Sequence, residues 1–302
     1  MTMSELIFRE LSKELLGMAL DILNESLEFD RLSYSLIFEK TFGDEDFDPE
    51  TALIGFLDDV PAAFWLGIVR KGTGYHKLFA VRPQFRNMGI GTAMLEEMEK
   101  KLVDRGAREI RVCEGAPNYF MPGLDPRYTS ALLFFDKHGY QKFDETYNLT
   151  ADLCDIEPDE ELERKLLADF SIMVRRASRH DRDAILDFIS SEFHGWEGEV
   201  QIALENEPPT IFIAELNGRV VGFSAHECNN MGTGWFGPMG TSKTLRGKGI
   251  GRALLLRSLE DLKRMGFKQA IIPWVGPVKF YHRNCNARID RIFWRMRKIV
   301  VE

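Results

Sequence analysis

The chain has 302 residues, a length that suits two domains of ordinary size, and its 44% hydrophobic and 28% charged residues are those of a globular protein able to bury a normal core. A formal net charge of −8 argues against a nucleic-acid backbone as main partner and mildly suits a cationic or amine ligand. No apolar run is long enough to span a bilayer, and the opening MTMSELIFRE lacks the basic and apolar regions of a secretory signal, so no membrane partner and a cytoplasmic location are expected.

Cys113, Cys154, Cys228 and Cys285 have neither metal-ligand nor redox spacing, so reduced thiols and no metal are expected. IFREL (7–11) reads as a first strand, followed by Ser12 as an N-cap and an amphipathic helix in LLGMALDIL. A second helical region follows, then the acidic loop FGDEDFDPE (42–50). ALIGFL and AAFWLGIV form a hairpin across Asp58-Asp59. KLFAV (77–81) is a third strand of this group and runs into the glycine cluster FRNMGIGTAML (85–95). The helix after it buries Leu95, Met98 and Leu102 on one stripe and stops at Gly106. Strand REIRV, the proline-rich PNYFMPGLDPRY (117–128), a short helix and a strand pair complete the copy.

The pattern then repeats. IMVRRA (172–177) leads to Ser178 and the helical AILDFI, and TIFIAEL meets VVGFSAHE across Asn217-Gly218. WFGPMGT (235–241) runs into LRGKGIGRALL (245–255), with Leu255, Leu259 and Leu262 as the buried stripe and Gly266 as its stop. Arg86 and Arg246, Gly89 and Gly249, Gly91 and Gly251, and Gly106 and Gly266 all lie 160 residues apart. That period is too long for a solenoid and indicates two copies of one domain, each in the order β-α-α-β-β-β-α-β-α-β-β. The expected division is 1–152, an acidic linker 153–170 with one helical turn or more in EELERKLL, and 171–302. The fold class is α+β, with a central, mostly antiparallel sheet flanked by helices in each domain.

Glycines between a strand and a helix N-terminus allow close backbone approach, and the first-turn amides with the helix dipole make an anion site. A dinucleotide loop would need a third glycine where Met94 or Leu254 stands. A P-loop would need Gly-Lys-Ser/Thr where Gly251-Arg252-Ala253 stands. The remaining pattern, strand, Arg-x-x-Gly-x-Gly, amphipathic helix and strand, resembles the acyl-CoA-binding core of the GNAT (Gcn5-related N-acetyltransferase) superfamily, in both halves.

The resemblance implies two coenzyme loops. One comprises Phe79, Ala80, Val81, Arg86, Asn87, Met88, Gly89, Ile90, Gly91 and Thr92; the other comprises Met239, Gly240, Thr241, Arg246, Gly247, Lys248, Gly249, Ile250, Gly251 and Arg252. It implies acetyl-CoA as donor, with backbone donors of the splayed strand stabilising the oxyanion. It also implies a tyrosine acid in the last helix, which is Tyr281 in KFYHRNCNA; the first copy has Phe135 there, with no proton to give. The C-terminal copy is therefore expected to be catalytic, although Asn284-Cys285-Asn286 departs from the family's Gly-Phe ending. Glu227 is the candidate base, with His226 beside it on the opposite face of the strand. Trp196 and Glu199 of SEFHGWEGEV, with Glu197 nearby, and Trp274 are candidates to line the acceptor site.

The leading expectation is transfer of acetyl to a small-molecule primary amine. A non-catalytic acyl-CoA binder and a protein N-terminal or lysine acetyltransferase are the alternatives. The acceptor's identity, the acyl length and the oligomeric state stay open.

Overall fold

The computed structural model describes residues 5–300; residues 1–4 and 301–302, at the outer ends of the expected domains, lie outside the described part. The described residues form two compact units, one of residues 5–146 with 292–300 and the other of residues 147–291.

Unit 1 begins with β1 (Leu6–Glu10), α1 (Leu16–Ser26) and α2 (Tyr34–Lys40). β2 (Ala52–Leu57), β3 (Val60–Arg70) and β4 (Thr73–Val81) form an antiparallel run with β1 at its edge. α3 (Ile90–Asp104) follows the first glycine cluster and leads to β5 (Glu109–Val112), which pairs parallel to β4. α4 (Thr129–Lys137) and β6 (Gln141–Asp152) end the first copy.

The second copy opens with α5 (Glu160–Phe170), β7 (Ile172–Arg176), α6 (Arg182–Glu192) and α7 (Glu197–Glu205). β8 (Ile211–Leu216), β9 (Arg219–His226) and β10 (Phe236–Thr241) join β7 in a sheet ordered β10-β9-β8-β7. α8 (Ile250–Arg264), β11 (Gln269–Ile272), α9 (Val278–Cys285) and β12 (Arg288–Ile299) complete it.

The sequence copies are not the folded units. β6 and β12 are each one long strand where a strand pair was expected, since neither QKFDETYNLTAD nor RIDRIFWRMRKI contains a glycine or proline to turn on. The last residues of β6 pair with β11, from Leu149↔Ile272 to Asp152↔Gln269, and belong to unit 2. The last residues of β12 pair with β5, from Arg297↔Arg111 to Ile299↔Glu109, and belong to unit 1. Arg295 supports that exchange through ion pairs to the buried Glu114 and to Asp144.

Local signals behave as their chemistry dictates. Asp58-Asp59 and Asn217-Gly218 are turns with positive φ at both central residues, matching the twist of the strands they join. Gly106 and Gly266 end α3 and α8 at φ of 88° and 98°. Leu95, Met98 and Leu102, and their counterparts Leu255, Leu259 and Leu262, are at most 1% exposed, each fully buried side chain contributing roughly 1.5 to 3 kcal/mol. Ser178 forms a capping box with Asp181 at a 3-10 turn before α6, whereas Ser12, before the equivalent 3-10 turn of the first copy, makes no side-chain cap. The expected linker is more than a turn: Asp159 caps an eleven-residue helix, α5, with its carboxylate on the Leu162 amide.

Candidate coenzyme loops and cavity

The two glycine clusters adopt one conformation. Each follows a strand and a 3-10 turn, and each places a left-handed glycine at the helix N-cap, Gly89 at φ 84° and Gly249 at φ 96°. Asn87 and Gly247 are left-handed as well. The first amides to bond back into the helices are Ala93 and Ala253, onto the carbonyls of Gly89 and Gly249. The amides of residues 90–92 and 250–252 precede them at the positive end of the helix dipole. Phe134 packs on Gly91 and Phe280 on Gly251, each at about 3.5 Å from the position a Cβ would take.

What surrounds the loops differs. In unit 1, β4 stays paired with β3 as far as Val81, but its pairing with β5 ends at His76↔Val112. The stretch Lys77–Val81 therefore has no strand partner on that side and lines a cavity of about 460 Å³. Arg86, Asn87, Gly89, Gly91 and Thr92 line its loop end, together with Lys137 and His138 of the α4 end. Arg86 donates to the Val81 carbonyl at 3.1 Å and to the Ser26 carbonyl at 3.1 Å, which ties the loop to β4 and α1. A Cβ on Gly89 would meet nothing within 4 Å.

Aromatic rings form one wall. Trp65 stacks on Phe79 with centroids 5.0 Å apart, and both lie against Phe135. The Trp65 indole donates to His76 Nδ1 at 3.0 Å, so the imidazole proton sits on Nε2 and goes to Tyr140 Oη at 2.6 Å. Tyr140 donates in turn to Glu99 Oε1 at 2.8 Å, and Lys298 pairs with that carboxylate. Burial pushes His76 down to about 3, so it stays neutral in this chain of bonds. Burial also pushes Lys77 down to about 7, opposed by the ion pair with Asp44. The insertion 117–128 folds over the cavity: Met121, Leu124 and Tyr128 line it, and Leu124 bridges to Trp294. Tyr128 donates to Asp30 at 2.7 Å and accepts from the Phe29 amide at 3.1 Å.

In unit 2, the chain's own side chains cover the loop. Leu162 Cδ1 would lie 2.8 Å from a Cβ on Gly249. Arg252 pairs with Asp159 at 3.1 Å, and Lys248 sits over the Phe170 ring at 3.8 Å. Along β10, the Phe193 ring lies 2.7 Å from the Cβ position of Gly240; the unit 1 counterpart of that glycine is Ala80.

Of the residues expected to carry acid, base and acceptor functions, Tyr281 lies in α9, Glu227 follows β9, and Trp196 and Glu199 lie at the start of α7, each packed among its neighbours. Tyr281 is 8% exposed and packs in the unit 2 core with Phe236 and Phe280; burial pushes its phenol well above the usual range. Glu227 does not face a cleft, because β9 ends at His226 and Glu227 turns left-handed at φ 49°. Its carboxylate accepts the amides of Gly232, Gly234 and Trp235, closing a loop; burial raises its pKa against those donors. His226 Nε2 donates to the Asp261 carboxylate at 2.9 Å inside unit 2. Trp196 stacks on Phe193 and meets Phe223 edge-on, as packing for β9 rather than a cup. Glu199 is buried at the start of α7, and the Trp274 amide donates to Asn148 at 3.1 Å. Sequence reasoning passed over Trp65, Cys113, Met121, Leu124 and Tyr128 as cavity residues. For Met121, Leu124 and Tyr128 the visible signal was the unusual insertion 117–128; Trp65 and Cys113 carried none.

No described helix is long and apolar enough to cross a membrane. The chain has no match among curated proteins. Among solved structures, the GCN5-related glucosamine N-acetyltransferase region of a fungal multi-domain GH3 β-N-acetylglucosaminidase shares the fold with a TM-score of 0.82 at 18% identity. That likeness covers 98% of this chain and 38% of the fungal one, so this chain spans well under half of its length. A GCN5-related N-acetyltransferase from Sphaerobacter thermophilus (TM-score 0.68, 20% identity, 97% and 95% coverage) shares the fold over both full lengths. So does a tandem GNAT protein from the clavulanic acid biosynthesis pathway (0.68, 14%, 97% and 98%). The model of the acetyltransferase (GNAT) family matches residues 16–120 and again 174–286. The chain therefore belongs to the GNAT acetyltransferase family, with the fold present twice in tandem.

Proposed function

We propose that this protein is an acyl-CoA-dependent N-acyltransferase, acetyl-CoA being the first donor to test, and that the reaction takes place in unit 1 rather than in the C-terminal copy. One observation carries the reading: the open cavity of about 460 Å³ that joins the Gly89 loop to the strand stretch Lys77–Val81. The residues present fit the coenzyme there, because a Cβ on Gly89 would find empty space where the equivalent position on Gly249 is filled by Leu162.

When bound, the coenzyme supplies an acyl carbon activated as a thioester. The chain's own residues do the rest. The amides of residues 90–92 and the Arg86 guanidinium bind the diphosphate. The unpaired edge of β4 orients the arm that follows, holding the reactants side by side. Trp65, Phe79, Met121 and Leu124 exclude water from the reacting end. Tyr128, whose hydroxyl donates to Asp30, fixes the wall between α1 and α4. The size of this cavity and its aromatic wall favour a small primary amine over a peptide as acceptor.

Phe135, fully buried in place of the family's tyrosine acid, favours a second reading in which the protein binds acyl-CoA without turnover. Mixing the protein with acetyl-CoA and a panel of primary amines, and following free thiol, separates the two. Amine-dependent thiol release that is lost in Gly91→Asp supports the transferase. Binding without release supports the second reading, and absence of binding sinks both.

A further inference from the structure

We infer that the glycine loop of unit 2 is a docking site for the chain's own helix α5, so that the protein holds a single coenzyme, in unit 1. The inference rests on the proposed reading of these loops as diphosphate cradles.

The unit 2 loop is the more cationic of the two. Lys248 and Arg252 stand where unit 1 has Met88 and Thr92. A cationic helix N-terminus of this kind attracts anions, and α5 meets it with an acidic face. Asp159 Oδ2 accepts from Arg252 while Asp159 Oδ1 caps α5. Glu163 takes Arg257, one turn further along α8, in a two-bond fork at 2.7 and 2.6 Å. Phe170 covers Lys248 at the other end of the helix.

Apolar packing locks the same contact. Leu166 is 1% exposed and packs in one cluster with Ile250, Ala253 and Leu254, the buried face of the α8 first turns. Leu162 fills the space directly over Gly249. A diphosphate approaching that glycine would have to displace the leucine, the Asp159 pair and the Lys248 contact together. Because α5 belongs to the same unit as the loop, its effective concentration there exceeds that of a free metabolite. A second, separate obstruction lies along β10, where the Phe193 ring takes the space beside Gly240.

CoA itself is the probe. Calorimetry on the whole chain should give one CoA per chain, abolished by Gly91→Asp and retained by Gly251→Asp. Hydrogen exchange with saturating CoA should slow in residues 87–93 and stay unchanged in 247–253 and 160–170. The double variant Asp159→Ala/Leu162→Ala should gain a second CoA and exchange faster at 247–253 before any CoA is added. Two CoA per wild-type chain, protection of 247–253, or release of 160–170 on adding CoA would overturn the inference. If CoA binds nowhere, the unit 1 reading fails, and the coenzyme-free exchange of the double variant decides this one: faster exchange at 247–253 supports it and unchanged exchange overturns it. Asp159→Asn, which keeps the helix cap and removes the charge, serves if the double variant does not fold; faster exchange at 247–253 is again the supporting result.

Discussion

Leu162 stands over Gly249 at a distance that leaves no room for a methyl group, while the equivalent Gly89 faces open space. Two loops of the same sequence pattern and the same backbone thus have opposite accessibility. This contrast yields a paired prediction. Gly249→Ala should cost about 1 to 2 kcal/mol of stability through its positive φ, with further crowding against Leu162, and leave CoA affinity unchanged. Gly89→Ala should cost about 1 kcal/mol from φ alone yet weaken CoA binding about tenfold or more, because its Cβ projects into the coenzyme's approach. Urea midpoints and calorimetry on both variants check this, and the reverse pattern of affinities would move the site to unit 2.

Tyr281 lies in the unit 2 core and is not among the residues that line the unit 1 cavity. Tyr281→Phe should therefore change amine-dependent thiol release by less than about twofold. A general acid typically contributes about 100-fold or more. A loss of that size, with CoA affinity intact, would return Tyr281 to the mechanism.

Glu227 is a loop staple. Glu227→Ala removes the acceptor for three amides at once and should lower stability by about 2 to 4 kcal/mol. CoA binding in unit 1 should not move. Denaturant unfolding and calorimetry measure the two quantities, and a stable variant with impaired turnover would restore the candidate base.

His76 gives a pH prediction with a defined sign. Its pKa in the fold is pushed from the ordinary 6.5 down to about 3 by burial. Between those values the unfolded chain binds a proton that the folded chain does not, so stability falls as the pH falls. The slope attributable to this group approaches about 1.4 kcal/mol per pH unit within that window. Comparing urea unfolding of wild type and His76→Gln between pH 4 and pH 7 isolates it. Equal slopes would mean that His76 titrates normally in the fold.

Much of the architecture was readable locally. Periodic leucines placed α3 and α8, two-residue turns with positive φ placed both hairpins, and the 160-residue offset revealed the duplication. Each of these signals is short-range: a helix stripe, a turn dihedral or a strand-to-helix glycine is dictated by the residues that carry it. The same reading located both glycine loops, because a left-handed glycine before a helix is itself a local feature.

By itself, then, the sequence determined that this protein has two copies of an acetyltransferase-type α+β domain, each with a glycine loop between a strand and a helix. Only the tertiary structure decided which loop stays open, where Tyr281 and Glu227 point, and that the ends of β6 and β12 complete units other than those their sequence position suggests. The physical reason is that accessibility and strand partnership depend on distant segments, α5 over Gly249 and β5 beside β12. Such long-range packing leaves no periodicity or spacing in the residues it covers.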